Sequence, residues 1–430
     1  MNNAVLKRKM DFLFREVYGI TLEEMDIENQ EHAMIIFGID WLDNFYDETY
    51  TYFILPEADP SMEYTLYRVI GSGKYGYTVE DLGYVYPLGN DAIIDKSGKC
   101  YWKKYKEDYP FIKLKVEQLK KYYGFDGLYH YTDFSNLNSI FGSGYLISRN
   151  ECEYQGIRFL DSASKSVLYH TPMYIKEYVR FHFRPKSPFL YVNEGIKLRE
   201  YMNDYPHLPI PVCLVFDEEL IYLDTTMFTD RNPGCIDMKI GNDYEFFFGI
   251  EWNKVFNCIY YSNKEWKNKM QAELLSKVPV SLDYLKKIVF RCEADMKRAI
   301  NLFGYDERYV VDLGVFSEKN SSSTSKTFYY NNFISDYDIY NLKKEIGLNM
   351  LILKLKFNKP WRGGYDVKIL IKTSDNKIIK SIMLNSEDFQ EIASNKTINY
   401  IIHDFNKDFH RLELYLNDIL SIEENLENYR

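Results

Sequence analysis

The side chains best suited to chemistry in this chain fall in three short stretches. Leu128–Asn136 reads Leu-Tyr-His-Tyr-Thr-Asp-Phe-Ser-Asn and sets His130, Thr132 and Asn136 close to Tyr131. Tyr178–Pro188 reads Tyr-Val-Arg-Phe-His-Phe-Arg-Pro-Lys-Ser-Pro and carries Arg180, and Gln271–Leu275 reads Gln-Ala-Glu-Leu-Leu around Glu273. An imidazole exchanges protons near neutral pH, a carboxylate stabilises developing positive charge, and a guanidinium matches phosphate oxygens. Each stretch alone has a plainer reading. A histidine between two tyrosines is commonly a satisfied core residue, and Thr132 and Asn136 suit the start of a helix. Glu273, among Ala272, Leu274 and Leu275, is either solvent-facing on a helix or held in a polar pocket.

Other motifs are weaker. Gly71, Gly73 and Gly76 form a GxGxxG. A dinucleotide site needs a helix directly after such glycines, whereas Thr78, Gly83, Tyr84, Val85, Tyr86 and Pro87 follow, so the spacing predicts a hairpin turn. A kinase reading lacks its later HRD and DFG elements. None of the seven histidines makes an HExxH or other short metal pair.

Composition bounds the remaining classes. The 430 residues suffice for several cores. With 46% apolar and 27% charged residues the chain is globular rather than disordered. Tyr (40) and Phe (28) are abundant, which strand-rich packing explains more simply than a stacking surface. A net charge of −10 argues against a protein coated with nucleic acid, because phosphate neutralisation needs many cations. Local basic runs remain at Lys96–Lys121, Arg180–Arg199 and Lys264–Lys269, with acid concentrated in Glu23–Glu31 and Glu423–Glu427. No run approaches about 18 apolar residues, so no membrane span is expected, and the first residues lack a signal core. Six cysteines without a CxxC pair read as reduced thiols of a cytoplasmic protein.

The elements that must position these residues follow from periodicity. Residues 5–18 have helical spacing, with a capping box at Thr21–Glu24. Met34–Gly38, Tyr50–Leu55, Tyr64–Ile70 and Tyr84–Tyr86 read as strands of a small α+β unit. Lys106–Tyr123 predicts a helix closed by Gly124, Asn136–Phe141 a second helix, and Pro211–Phe216 a buried strand. Glu265–Lys277 and Leu282–Leu302 are helix-compatible, with Lys287–Arg291 open to being a strand. Glu318–Lys326, rich in Ser and Asn, predicts a linker. Beyond it Met350–Phe357, Asp366–Thr373, Lys377–Leu384, Asn399–Ile402 and Arg411–Leu416 alternate like the strands of a β-sandwich.

Several blocks, in order across about residues 125–300, resemble the DarT family of nucleic-acid ADP-ribosyltransferases. Leu128–Leu146 is similar to that family's opening strand and helix, an aromatic-His-x-Thr followed by Asn-Leu and a Gly before a Leu. Tyr178–Leu190 resembles its central strand and the turn after it; Pro211–Leu220 and Phe228–Asn232 resemble its next strand and loop. Lys269–Pro279 resembles the segment carrying the family's catalytic Glu. The chain departs from the pattern at two places. The upstream segment where the family has a catalytic Arg offers Arg158 or Lys165, and Arg180 stands where many members have a Pro.

The resemblance implies an α+β fold with a central mixed sheet over residues 120–315; the patterning on either side of it reads as an N-terminal α+β domain (1–115) and a C-terminal β-sandwich (327–430). It implies an NAD+-dependent ADP-ribosyltransferase acting on bases of single-stranded nucleic acid, DNA first, as a toxin or anti-phage effector. Glu273 would be catalytic together with Arg158, the latter at the pyrophosphate. His130, Tyr131, Thr132, Asn136 and Arg180 would bind NAD+, His130 and Thr132 at the adenosine-side ribose and the nicotinamide amide, respectively or jointly. Lys264, Trp266, Lys267 and Lys269 would hold the strand by charge and stacking. An antitoxin or regulatory protein is the expected partner. The alternatives are ADP-ribosylation of RNA or protein, NAD+ hydrolysis, and a non-catalytic binding module on a degenerate transferase fold.

Overall fold

The computed structural model describes residues 50–56, 64–72, 76–87, 93–94, 105–161, 172–196, 208–257, 263–316, 333–342, 349–358, 365–384 and 397–430. The predicted helix over 5–18, the capping box at Thr21–Glu24, the strand at Met34–Gly38, the cations Lys96–Lys104, Lys165 and the linker Glu318–Lys326 lie outside the described residues. Among the described residues no helix is long and apolar enough to cross a membrane.

Strands β1 (Tyr50–Pro56), β2 (Tyr64–Ser72), β3 (Gly76–Pro87) and β4 (Ile93–Ile94) form one sheet in sequence order. Ser72 lies opposite Gly76 and Gly71 opposite Tyr77 in an antiparallel ladder, so Gly71 and Gly76 belong to the paired strands of a hairpin; Gly73 lies outside the described residues.

Helix α1 (Tyr109–Tyr123) leads into the central unit. Its buried Ile112, Val116 and Leu119 recur at helical spacing, and Gly124, at φ 68°, closes it in the left-handed conformation where a side chain is disfavoured. Then follow β5 (Leu128–Asp133), α2 (Leu137–Ser143), β6 (Tyr145–Leu146), α3 (Arg149–Tyr154), β7 (Val179–His182), α4 (Leu190–Asn193), β8 (Pro211–Phe216), β9 (Thr226–Thr229) and β10 (Ile240–Gly241). Next come α5 (Tyr244–Gly249), α6 (Trp252–Phe256), α7 (Lys264–Lys269), β11 (Glu273–Ser276), β12 (Val280–Ser281), β13 (Leu285–Phe290), α8 (Glu293–Phe303) and β14 (Tyr309–Val311). Eight of the strands build a sheet in the order β10-β9-β11-β7-β5-β8-β13-β14. Neighbours are antiparallel except β13 and β14, which α8 connects in parallel, so the sheet is mixed.

Both faces of this sheet are covered. Leu128, Val212, Leu214 and Phe216 join one apolar cluster; Tyr129, Tyr131, Cys213 and Val215 join another. A strand buried on both faces loses its polar alternation, which explains why the segment around Glu273 carries no strand signal in the sequence. Residues 265–277 are not one helix: α7 ends at Lys269 and β11 begins at Glu273, where Leu274 and Leu275 are both fully buried. The register of β5 is set from its start. Gly127 has φ 155°, and a Cβ there would meet Phe216 O at 2.7 Å and Val215 Cγ1 at 2.8 Å.

The C-terminal residues form β15 (Ile334–Asn341), β16 (Met350–Phe357), β17 (Val367–Lys372), β18 (Ile378–Leu384), β19 (Thr397–His403), β20 (Arg411–Leu416) and β21 (Ile419–Asn425). They make two antiparallel sheets, β15-β16-β19 and β18-β17-β20-β21. Leu351, Leu353 and Leu355 of the first share an apolar cluster with Ile369, Ile371 and Leu414 of the second. That cluster also takes in Ile196, Cys292 and Ala294 from the central unit. Helix α8 is the joint. Lys297 Nζ donates to Asp336 Oδ1 at 2.7 Å, Arg298 Nη1 to the Leu420 carbonyl at 2.6 Å, and the Arg291 guanidinium lies 3.7 Å from the Phe333 ring centre.

Candidate active site

A cavity of about 450 Å³ opens on the central sheet, a size suited to a small molecule. β5 contributes His130, Tyr131 and Thr132, β7 contributes Arg180 and His182, and β11 contributes Glu273. Strands β5 and β7 meet through one residue pair, Tyr129 opposite His182. Beside it the ladder is continued by a side chain: His130 Nδ1 lies 2.9 Å from the Arg180 carbonyl oxygen. A carbonyl only accepts, so Nδ1 carries the hydrogen and Nε2 the lone pair. Burial lowers the His130 pKa, so the ring is neutral at neutral pH.

Glu273 is 2% exposed. A carboxylate so deep requires a partner, because an unpaired buried charge costs several kcal/mol. Arg180 supplies it in a two-point fork: Nε donates to Oε2 at 2.6 Å and Nη2 to Oε1 at 2.9 Å. The β11–β7 register places Glu273 opposite His182 and Leu275 opposite Arg180, so Arg180, His182 and Glu273 share one face of the sheet. The Arg180 side chain is 38% exposed, on the cavity side. His182 Nδ1 lies 3.5 Å from Glu273 Oε1. Burial outweighs the attraction of Glu273 and pushes the His182 pKa down to about 4. The Glu273 backbone N–H donates to Thr229 Oγ1 at 2.9 Å, which anchors the start of β11.

The cavity brings together His130, Tyr131, Thr132, Asn136, Arg180 and Glu273 from three distant parts of the chain. Two of them are committed to the scaffold. Asn136 Nδ2 donates to Thr132 Oγ1 and to the Leu160 carbonyl, both at 3.0 Å, and Oδ1 accepts from Leu160 N at 2.8 Å. The Tyr131 hydroxyl donates to the Val315 carbonyl at 2.7 Å and accepts from Lys186 N at 3.1 Å.

Arg158 is not among the residues lining the cavity, although its neighbours Ile157 and Phe159 are. The arginine of this region that does line it is Arg149, paired with Asp161 and 5.4 Å from the Phe159 ring centre. Lys264, Trp266, Lys267 and Lys269 lie on α7, and none lines the cavity. Lys264 is exposed and Lys267 half-buried, but Lys269 is buried and bound to Asp230 at 2.8 Å and Glu251 at 3.2 Å. The charge of Lys269 is therefore neutralised inside the fold, a correction to its reading as a strand contact; a run of like charges does not reveal which member points inward. Sequence reasoning also passed over His182, Arg149, Asn232 and Gln271, all of which line the cavity. His182 was within reach, since the strand period of 2 puts it on the face of Arg180. Arg149 carried no such signal.

Residues 129–329 match the model of a family described as ssDNA thymidine ADP-ribosyltransferase, DarT. No curated protein matches the chain. Among solved structures, DarT from Thermus sp. 2.9 in complex with ADP-ribosylated ssDNA is similar at 17% identity and a TM-score of 0.38, over 44% of this chain and 95% of that one. The same protein in complex with NAD+ is 17% identical at a TM-score of 0.35, over 50% and 100% of the two chains. DarTG from Thermosipho africanus in complex with ADP-ribose is 18% identical at a TM-score of 0.35, over 50% and 53%.

Proposed function

Residues 129–329 match the DarT family model, and on that premise we propose that they make up an ADP-ribosyltransferase domain that transfers ADP-ribose from NAD+ to a base of single-stranded DNA, with Glu273 as the catalytic carboxylate. The observation that carries the assignment is a buried carboxylate, held at two points by Arg180 and open to a cavity that His130 also lines.

The reaction breaks the bond between nicotinamide and its ribose and places positive charge on that ribose. A fixed carboxylate stabilises that charge without reorganising as it develops. Arg180 uses Nε and Nη2 on Glu273, which leaves Nη1 to donate to a pyrophosphate oxygen. His130 presents its unprotonated Nε2, an acceptor suited to a ribose hydroxyl. Thr132 stands beside it on β5 as the second NAD+ contact. Asn136 and Tyr131 act on NAD+ through the wall they hold. The upstream catalytic role assigned to Arg158 passes to Arg149 or Arg180, the arginines that line the cavity. The acceptor is an unpaired base, because a base inside a duplex is not reachable without extrusion. Lys264, Trp266 and Lys267 remain the candidates for holding the strand.

The wider reading is a cytoplasmic toxin or anti-phage effector with an antitoxin or regulatory partner, supported by flanking units outside the transferase blocks. Residues 1–115 act as an α+β accessory domain and residues 327–430 as a β-sandwich accessory domain beside the transferase domain at 120–315. The full chain, incubated with labelled NAD+ and single-stranded oligonucleotides of DNA and of RNA, is expected to add one ADP-ribose to DNA, read by mass. Glu273→Gln is expected to lower transfer at least about 100-fold while circular dichroism shows the fold retained; full activity in that variant sinks the assignment.

One observation favours a different class of function. With Arg158 off the cavity wall and Arg149 tied to Asp161, the domain resembles a degenerate transferase that binds without reacting. NAD+ that fails to raise the melting temperature would support this second reading, since a ligand specific to the folded state must stabilise it.

A further inference from the structure

His182 has no role in the scheme above, yet it is the side chain directly across from Glu273 in the β11–β7 register. Its Nδ1 is fully buried and has no hydrogen-bond partner within ordinary range. The nearest carboxylate atom is Glu273 Oε1 at 3.5 Å, the same oxygen that accepts from Arg180 Nη2. The ring is clamped: it stacks on Phe189 at 5.1 Å and 25°, and Tyr131 sits 6.1 Å away on another side. A carboxylate oxygen only accepts. The nitrogen facing it must therefore carry a hydrogen, or two lone pairs would oppose each other in a site of low dielectric.

We propose that His182 is a positioning residue for Glu273: as the neutral Nδ1–H tautomer it donates to Oε1 and holds the carboxylate from its buried side. The proposal rests on the reading of Glu273 as the carboxylate beside the ribose. Arg180 holds the same carboxylate from the cavity side, where its guanidinium is open to a bound pyrophosphate. When that guanidinium is shared with phosphate, the fork to Glu273 weakens. His182 also lines the cavity, but its Nδ1 is fully buried and does not face that competition. Its neutrality matters too, because a cation at that distance would compete with Arg180 and quench the carboxylate that the ribose requires.

Two variants separate this role from packing. His182→Phe keeps a flat ring against Phe189 and removes the donor. His182→Asn gives up the ring and keeps an N–H at nearly the Nδ1 position. Transfer by the full chain is expected to lose about 10- to 100-fold in kcat in His182→Phe, with KM for NAD+ within about two-fold of the parent. His182→Asn is expected to recover most of that loss. Undiminished kcat in His182→Phe overturns the proposal, as does an equal loss in both variants, which would mean that the ring and not the donor matters. A second measurement is independent of turnover. In the full chain labelled with 15N-histidine, the resonance missing from His182→Phe is expected to report a neutral ring protonated at Nδ1 at neutral pH. An Nε2–H tautomer or a charged ring there also overturns it. Should the parent chain transfer nothing to any nucleic acid, the functional reading falls, and the tautomer still decides the contact to Glu273.

Discussion

Glu273 and Arg180 gain meaning from each other. The carboxylate is buried because a guanidinium forks onto it, and the guanidinium stays at the cavity wall because the carboxylate holds it. The two histidines beside them are kept neutral by burial, which has a consequence for acid stability. In the unfolded chain His182 titrates near 6.5; in the fold it is pushed down to about 4. Between those values the unfolded chain binds a proton that the folded chain refuses. Stability therefore falls as the pH drops through that window and levels off below it, by on the order of 3 kcal/mol at most. His130 contributes with the same sign. Denaturation midpoints at about pH 7 and about pH 4.5 are expected to differ less in His182→Phe than in the parent; an identical difference would show that His182 does not carry the effect.

At the scale of elements, the cavity is a product of strand pairing. β11 brings Glu273 beside β7, and β5 brings His130 to the other edge of β7. Asn136, just past β5, ties Leu160 and thereby the wall formed by Ile157, Phe159 and Leu160. Asn136→Ala removes three hydrogen bonds and leaves Leu160 backbone groups unpaired, so a loss of about 1–3 kcal/mol is expected from the denaturant midpoint. Because the wall loosens while Glu273 and Arg180 stay in place, KM for NAD+ is expected to rise more than kcat falls. The reverse pattern would make Asn136 a direct contact of the reacting groups.

At the scale of the whole molecule, α8 belongs to two cores. Ala299 faces the central sheet's cluster, while Cys292 and Ala294 complete the C-terminal one. Arg298 links the two, its guanidinium 4.2 Å from the Phe134 ring centre and its Nη1 on the Leu420 carbonyl. Phe134 follows β5 directly, so the C-terminal sheets brace the strand that carries His130 and Thr132. A chain that ends at residue 316 exposes the apolar surface of Cys292 and Ala294 and strips Lys297 of Asp336 and Arg298 of the Leu420 carbonyl. It is expected to melt on the order of 10 °C below the full chain. A fragment equally stable in a thermal scan would show that the central unit does not depend on the C-terminal sheets. Regulation by the flanking units is therefore better probed with point variants in the full chain than by truncation.

The sequence by itself determined the elements whose signals are local: α1 with its Gly124 stop, the buried run of β8, the hairpin at the glycines and the alternating C-terminal strands. It also picked out His130, Arg180 and Glu273, through the order of motif blocks rather than through any property of the residues alone. Tertiary structure decided the rest. Whether Glu273 lay on a helix or a strand was open, because Ala272–Leu275 is apolar without alternation, and only pairing with β7 and β9 resolves it. Lys269 and Lys264 look alike in sequence, and the fold turns one inward to Asp230 and leaves the other in water. Asn136 and Tyr131 looked like ligand contacts, and their hydrogen-bonding groups turned out to be joined to Leu160 and Val315. His182 is the sharpest case, since its meaning lies in an atom 91 residues away that only the sheet brings within 3.5 Å. Local pattern encodes which face of an element is apolar, but not which charged group another strand will deliver opposite it.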